Sequence, residues 1–163
     1  MKTIRVHFYV LVALTAILLQ PHRAQALTVY VNDGSLVGDV YSEAAGSNLN
    51  AGTKALPLAT LQFALANFAF TAGDSILIDA GTYTDQMLAV STGDAGVVIM
   101  GAGRALTIFD GVNRTARWMV VSGDNVQIRS MTVKRYGHPT GLAGQALTLQ
   151  DATGMLVQDI IFD

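Results

Sequence analysis

The sequence predicts an all-β fold, a right-handed parallel β-helix (solenoid) with a capping α-helix at its N-terminal end. Three observations lead there. Beyond residue 75 the chain offers only short β-type segments, separated by turns rich in Gly, Asp and Asn. The pattern apolar, any, apolar, any of Val97-Val98-Ile99-Met100 returns at Val126-Gln127-Ile128-Arg129 and at Met155-Leu156-Val157-Gln158, in steps of 29 residues. One amphipathic helical stretch precedes all of them. A fixed period with recurring apolar positions is what stacked coils require, since each coil lays its apolar residues on those of the coil before. An antiparallel sandwich, the other architecture such strands allow, has no reason to hold a period.

The elements follow in order. Residues 1–26 read as a secretory signal. Lys2 and Arg5 supply the basic start, residues 8–19 are an uncharged, strongly apolar run, and Ala24-Gln25-Ala26 forms a small-x-small cleavage box. Twelve residues, all apolar but Thr15, fall short of the roughly 20 that span a bilayer. Residues 27–56 hold an alternating β-type start, Thr28-Val29-Tyr30-Val31, and then a loop rich in Gly, Asn, Ser and Asp. Residues 57–70 hold the helix. Leu58, Leu61, Leu65 and Phe68 recur at helical spacing, Pro57 suits a first turn, and Thr71-Ala72-Gly73-Asp74 supplies the exit. Residues 71–163 are read as the coils, with strands at 76–79, 87–91, 97–100, 107–109, 118–121, 126–133, 146–149 and 156–162. The repeat places Met131 on Ile160, Val133 on Phe162, Trp118 on Leu147 and Val120 on Leu149. The first coil, around Ile76, lies 21 residues before Val97 and breaks the period. Gly81 is expected in a tight turn and Tyr83 to pack on it. The chain stops on an apolar strand, which predicts a truncated solenoid with further coils of the same chain beyond it.

Two segments carry a family resemblance. They are Asn50-Ala51-Gly52-Thr53 with Leu56-Pro57-Leu58-Ala59-Thr60-Leu61-Gln62-Phe63-Ala64-Leu65, and Ala72-Gly73-Asp74-Ser75-Ile76-Leu77-Ile78-Asp79-Ala80-Gly81-Thr82-Tyr83. Together they resemble the N-terminal region of secreted bacterial pectin-lyase-like right-handed β-helix proteins. They are more distantly similar to the start of alginate-lyase- and chondroitinase-B-like enzymes. The resemblance implies that the helix caps the open end of the solenoid. It also implies association with polysaccharide, either as a lyase or glycoside hydrolase in the full-length protein or as a structural stalk of adhesin type. Ca²⁺ is implied only if the full-length protein is a lyase. The catalytic coils of such enzymes lie further along, so no catalytic residue carries over and this segment is expected to be inactive.

Composition narrows the partners. Beyond Ala26 the chain keeps 7 of its 10 basic residues and all 12 acids, a formal balance of about −5. That excludes nucleic-acid or anionic-membrane binding by charge alone. The chain has no cysteine, so stability outside the cytoplasm must come from packing. The expected location is secreted, periplasmic or cell-surface, off the membrane once the signal is cut. Asp110, Asp124 and Asp151 sit at turn positions and are read as turn caps, not metal ligands. The candidates for substrate contact are Arg129, Lys134, Arg135, Tyr136 and His138. They face outward on one strand and open the long loop that follows it, where basic and aromatic side chains suit an acidic sugar chain. No metal site and no cofactor is identified.

Overall fold

A computed structural model of the chain describes residues 25–137 and 146–163. The predicted leader with Ala24, and His138, lie outside the described residues. Ala26 lies just inside them, on exposed irregular chain. Among the described residues no helix is long and apolar enough to cross a membrane.

Among the described residues, ten strands, one α-helix and a single 3-10 turn (Thr92–Asp94) make up the fold. The strands are β1 (Thr28–Val31), β2 (Ser75–Ile78), β3 (Gly81–Thr84), β4 (Leu88–Val90), β5 (Val98–Gly101), β6 (Thr107–Arg114), β7 (Met119–Val121), β8 (Gln127–Tyr136), β9 (Leu147–Leu149) and β10 (Leu156–Phe162). The helix α1 (Leu61–Asn67) lies between β1 and β2. Every strand ladder is parallel. Seven strands form one sheet in the order β1-β2-β5-β8-β6-β3, with β10 added to β8, and β4-β7-β9 form a second.

The predicted all-β, closed β-helix solenoid is corrected by this topology. Among the described residues the fold is a mostly parallel, α/β-type sheet structure, 8% helical and 40% strand, and shows no closed solenoid. The first half of β8 extends β5 and its second half extends β6, so one sheet folds back along its own strand. The second sheet shares no ladder with it among the described residues. The reason the reading overreached is physical. A fixed spacing reports that successive strands stack in parallel register, not that the sheets close. The spacing is met where it was read: Val98 pairs with Gln127 and Gln127 with Leu156, Met131 with Ile160 and Val133 with Phe162. It fails elsewhere. Met119, not Trp118, pairs with Leu147, while the first coil departs from the period as expected, Ile76 pairing with Ile99. Gly81, expected in a tight turn with Tyr83 packed on it, instead opens strand β3, and Tyr83 lies within that strand.

Parallel register makes the core from rows of like residues. Val29, Ile76, Ile99, Ile128 and Val157 form one row across five strands, the first four of them buried. Tyr83, Phe109, Val133 and Phe162 form another. Tyr83 stacks on Phe109 at 5.3 Å, and Phe109 meets Trp118 at 5.2 Å. Rings at that separation add to the stabilisation from burial alone. Burial and nearby carboxylates push the Tyr83 hydroxyl far up, and it donates to the Asp79 carbonyl at 3.1 Å.

The helix is shorter than its apolar spacing predicts. Its N-cap is Thr60, whose hydroxyl accepts from the Phe63 N–H at 3.1 Å. Residues 57–59 cannot join it because their backbone is used elsewhere. Leu58 N–H donates to Tyr30 and the Leu58 carbonyl accepts from Asn32, while Ala59 N–H donates to Asn48. With Gly52 accepting from Tyr30 N–H, this segment closes the outer edge of β1. An otherwise open pairing edge is thereby covered.

The loop between β1 and the helix is tied down by one carboxylate. Asp79, fully buried after β2, accepts from Val40 N–H at 2.5 Å, Tyr41 at 2.9 Å, Ser42 at 2.5 Å and Ala80 at 3.0 Å. Burial alone would raise its pKa, but the four donors bring it below the ordinary value.

Candidate functional site

Three of the predicted contact residues, Lys134, Arg135 and Tyr136, lie together at the ends of β6 and β8. The two strands pair as Ile108 to Thr132, Phe109 to Val133 and Asp110 to Lys134, and resume at Arg114 to Tyr136. Four steps along β6 thus oppose two along β8, so β6 bulges outward. The backbone takes up the excess in the left-handed region, at Val112 (φ 51°), Asn113 (φ 63°) and Arg135 (φ 58°). That conformation is strained for β-branched Val112. Gly111 is required at the bulge, because a Cβ there would lie 2.5 Å from the Arg135 carbonyl oxygen and 2.9 Å from the Tyr136 ring.

The bulge gathers charge. Asp110, nearly buried, receives the Arg135 guanidinium in a two-pronged pair, Nε to Oδ1 at 2.7 Å and a terminal nitrogen to Oδ2. Lys134 Nζ stands 3.7 Å from the same carboxylate. The Asp110 side chain also accepts from Val112 N–H at 2.9 Å, so its turn-capping role is fulfilled alongside the ion pair. Chiefly through Arg135, its pKa is held at about 2. Lys134 is flanked on its other side by β10, where Asp163 N–H bonds to the Val133 carbonyl and its carbonyl accepts from Arg135 N–H. The Tyr136 hydroxyl accepts from Gln86 N–H at 3.2 Å. Beside it a cavity of about 180 Å³ is lined by Val133, Tyr136, Ala146, Phe162 and Asp163.

Of the five predicted contact residues, Lys134, Arg135 and Tyr136 are brought together. Arg129 is not. It lies before the bend at Ser130 (φ 59°), in a row with Met100 and Gln158, and donates to Gln127. His138 lies outside the described residues. Sequence reasoning missed Asp110 as the partner of Arg135, 25 residues away, and missed Asp79 altogether. The positive φ of the bulge has no alternation signal that could have revealed the first. Asp124 does not cap its own turn in these bonds; its carboxylate accepts from the N–H and hydroxyl of Thr153, 29 residues on, and so ties two turns together. Among the described residues no group of acidic, His or Cys side chains is placed to hold a metal ion.

No family model, curated protein or solved structure matches the chain.

Proposed function

We propose that this segment is chiefly the structural part of an exported protein that binds or processes polysaccharide, and that glycan contact is made along the edge formed by Lys134, Arg135 and Tyr136. The observation that carries the reading is the bulge itself. A strained β6 turn, a mandatory glycine and a bidentate Arg135–Asp110 pair hold Lys134 and Tyr136 at the C-terminal end of β8. Asp110 occupies the Arg135 fork, whereas Lys134 meets that carboxylate only at 3.7 Å and keeps ammonium donors for a sugar hydroxyl or carboxylate. The adjacent cavity, about 180 Å³, falls below the roughly 300 Å³ at which small-molecule sites begin. This favours a chain lying along the edge over an engulfed ligand. The basic start, apolar run and small-x-small box of residues 1–26 support export to the periplasm, the medium or the cell surface.

Calorimetric titration with oligogalacturonate and with a neutral glucan of equal length tests this. The acidic chain is expected to bind, more weakly as salt rises, and Lys134→Gln to weaken it without changing the fold. Equal binding of both glycans, or an unaffected Lys134→Gln variant, would refute the reading. Alginate, pectate and chondroitin should yield no unsaturated product with this chain.

A further inference from the structure

The backbone nitrogen just ahead of β1 sits on a buried carboxylate. Leu27 N–H donates to Asp74 Oδ1 at 2.7 Å, and Asp74 is only 7% exposed. The other oxygen of that carboxylate is taken by Thr71, through its N–H at 2.7 Å and its hydroxyl at 2.9 Å. The backbone donors, Leu27 foremost, hold the Asp74 carboxyl below its ordinary range, so it is charged at neutral pH. A buried charge is costly unless it is paired. Among the described residues no Lys, Arg or His is ion-paired with it. Leu27 is pinned from its other side as well. Its carbonyl accepts from Ser75 N–H at 2.9 Å, and the Ser75 hydroxyl donates to that of Thr28 at 3.2 Å. In the sequence, Leu27 directly follows the Ala24-Gln25-Ala26 box.

We infer that Asp74 is the receptor for the α-ammonium group of Leu27 that cleavage after Ala26 creates. This rests on the export reading above and names the group on which the processed end docks. A signal peptidase adds one water across the Ala26–Leu27 peptide bond. The water oxygen goes to the Ala26 carbonyl, which leaves as a carboxylate. Both water protons go to the Leu27 nitrogen, which becomes an ammonium. The nitrogen that donated a single amide hydrogen at 2.7 Å then carries a full positive charge beside Asp74 Oδ1. The Ser75 bond to the Leu27 carbonyl and the β1–β2 ladder hold it there. A charge-assisted bond of this kind is roughly twice as strong as a neutral one. The uncut chain has only the neutral donor, so processing tightens the seat of β1 against the turn before β2. The polar side chains around the pair are Thr28, Thr71 and Ser75, none of which ionises in the range where an α-amino group titrates. The carboxylate tied to the same segment is Asp94, which accepts from Phe70 N–H at 3.3 Å and from Ser91. The ammonium's folded pKa is raised above the unfolded value of about 8, so its contribution is complete below about pH 8 and is lost as pH rises through the folded value.

Terminal sequencing of the exported protein should give Leu27 as the first residue. NMR titration of its α-nitrogen, after ¹⁵N-leucine labelling, should place the pKa about one unit or more above 8, and Asp74→Asn should return it to about 8. Urea unfolding then compares the processed chain with one that retains Ala26. For each unit of pKa rise, the folding equilibrium constant of the processed chain should be about tenfold larger at pH 7, and the gap should close above about pH 10. Leu27 in first place with an ordinary pKa would overturn the pair and leave export standing. Any other first residue would overturn the cleavage boundary and the inference together. If Asp74→Asn does not fold, the chain retaining Ala26 decides, and equal stability of the two chains at pH 7 would overturn the inference.

Discussion

Asp79→Asn is the most searching single substitution. In the native protein each carboxylate oxygen of Asp79 accepts two backbone N–H groups, Oδ1 from Val40 and Ala80, Oδ2 from Tyr41 and Ser42. An amide keeps one oxygen and turns an NH₂ group toward the other pair. Two buried N–H donors then face a donor. Each unmet buried group costs about 1–3 kcal/mol, and the hydrogen bonds that remain are to a neutral acceptor. The total is about 3–5 kcal/mol, a large share of the 5–15 kcal/mol that a domain commonly has. Urea unfolding at pH 7, followed by circular dichroism, measures it. A loss below about 1 kcal/mol would refute the reasoning, since it would mean that the residue 38–43 loop does not depend on this carboxylate. The pH dependence supplies a second reading. The folded pKa of Asp79 is depressed, so its contribution is present above the unfolded value near 4 and is lost as pH falls through the folded value. Asp39 acts in the opposite sense, its pKa raised by burial and by the nearby Asp79 and Asp33 charges. The difference between parent and Asp79→Asn curves should therefore shrink on acidification.

Other substitutions test the core and the bulge. Phe109→Ala opens a cavity between Tyr83 and Trp118 and should cost about 3–5 kcal/mol in urea unfolding. Gly111→Ala should cost about 1–3 kcal/mol in the same assay, because its Cβ meets backbone on β8. Thr60→Ala removes the helix N-cap bond and should lower stability by about 1 kcal/mol. In Arg135→Gln, carbon-detected NMR titration should find the Asp110 pKa risen from about 2 toward its ordinary value. The stability that the parent keeps above about pH 4 and loses between about pH 4 and pH 2 would then be largely missing at neutral pH already, and that step in the pH dependence would flatten.

Much of the strand order could be read from the sequence, because inward apolar positions must coincide between stacked strands. Ile128, Met131 and Val133 announced their partners on β10 through spacing alone. Closure could not be read that way, since whether two sheets join depends on bends such as Ser130, and a positive φ in a serine leaves no compositional mark. The Trp118 register slipped by one residue because β7 to β9 is a step of 28, not 29. At the candidate site, the cluster of basic and aromatic residues was visible as consecutive letters. Its anchor was not, because Asp110 reaches Arg135 only through a bulge that changes which residues oppose each other. Asp79 looked like the polar end of a strand, and nothing in its neighbours shows that a loop 37–39 residues upstream would bring three N–H groups to it.

The glycan edge is tested most directly by amide chemical-shift mapping during titration with oligogalacturonate. The largest shifts are predicted in residues 110–113 and 134–136, saturating together and abolished by Lys134→Gln. Shifts centred on another face, or none at a concentration where calorimetry detects binding, would contradict the account.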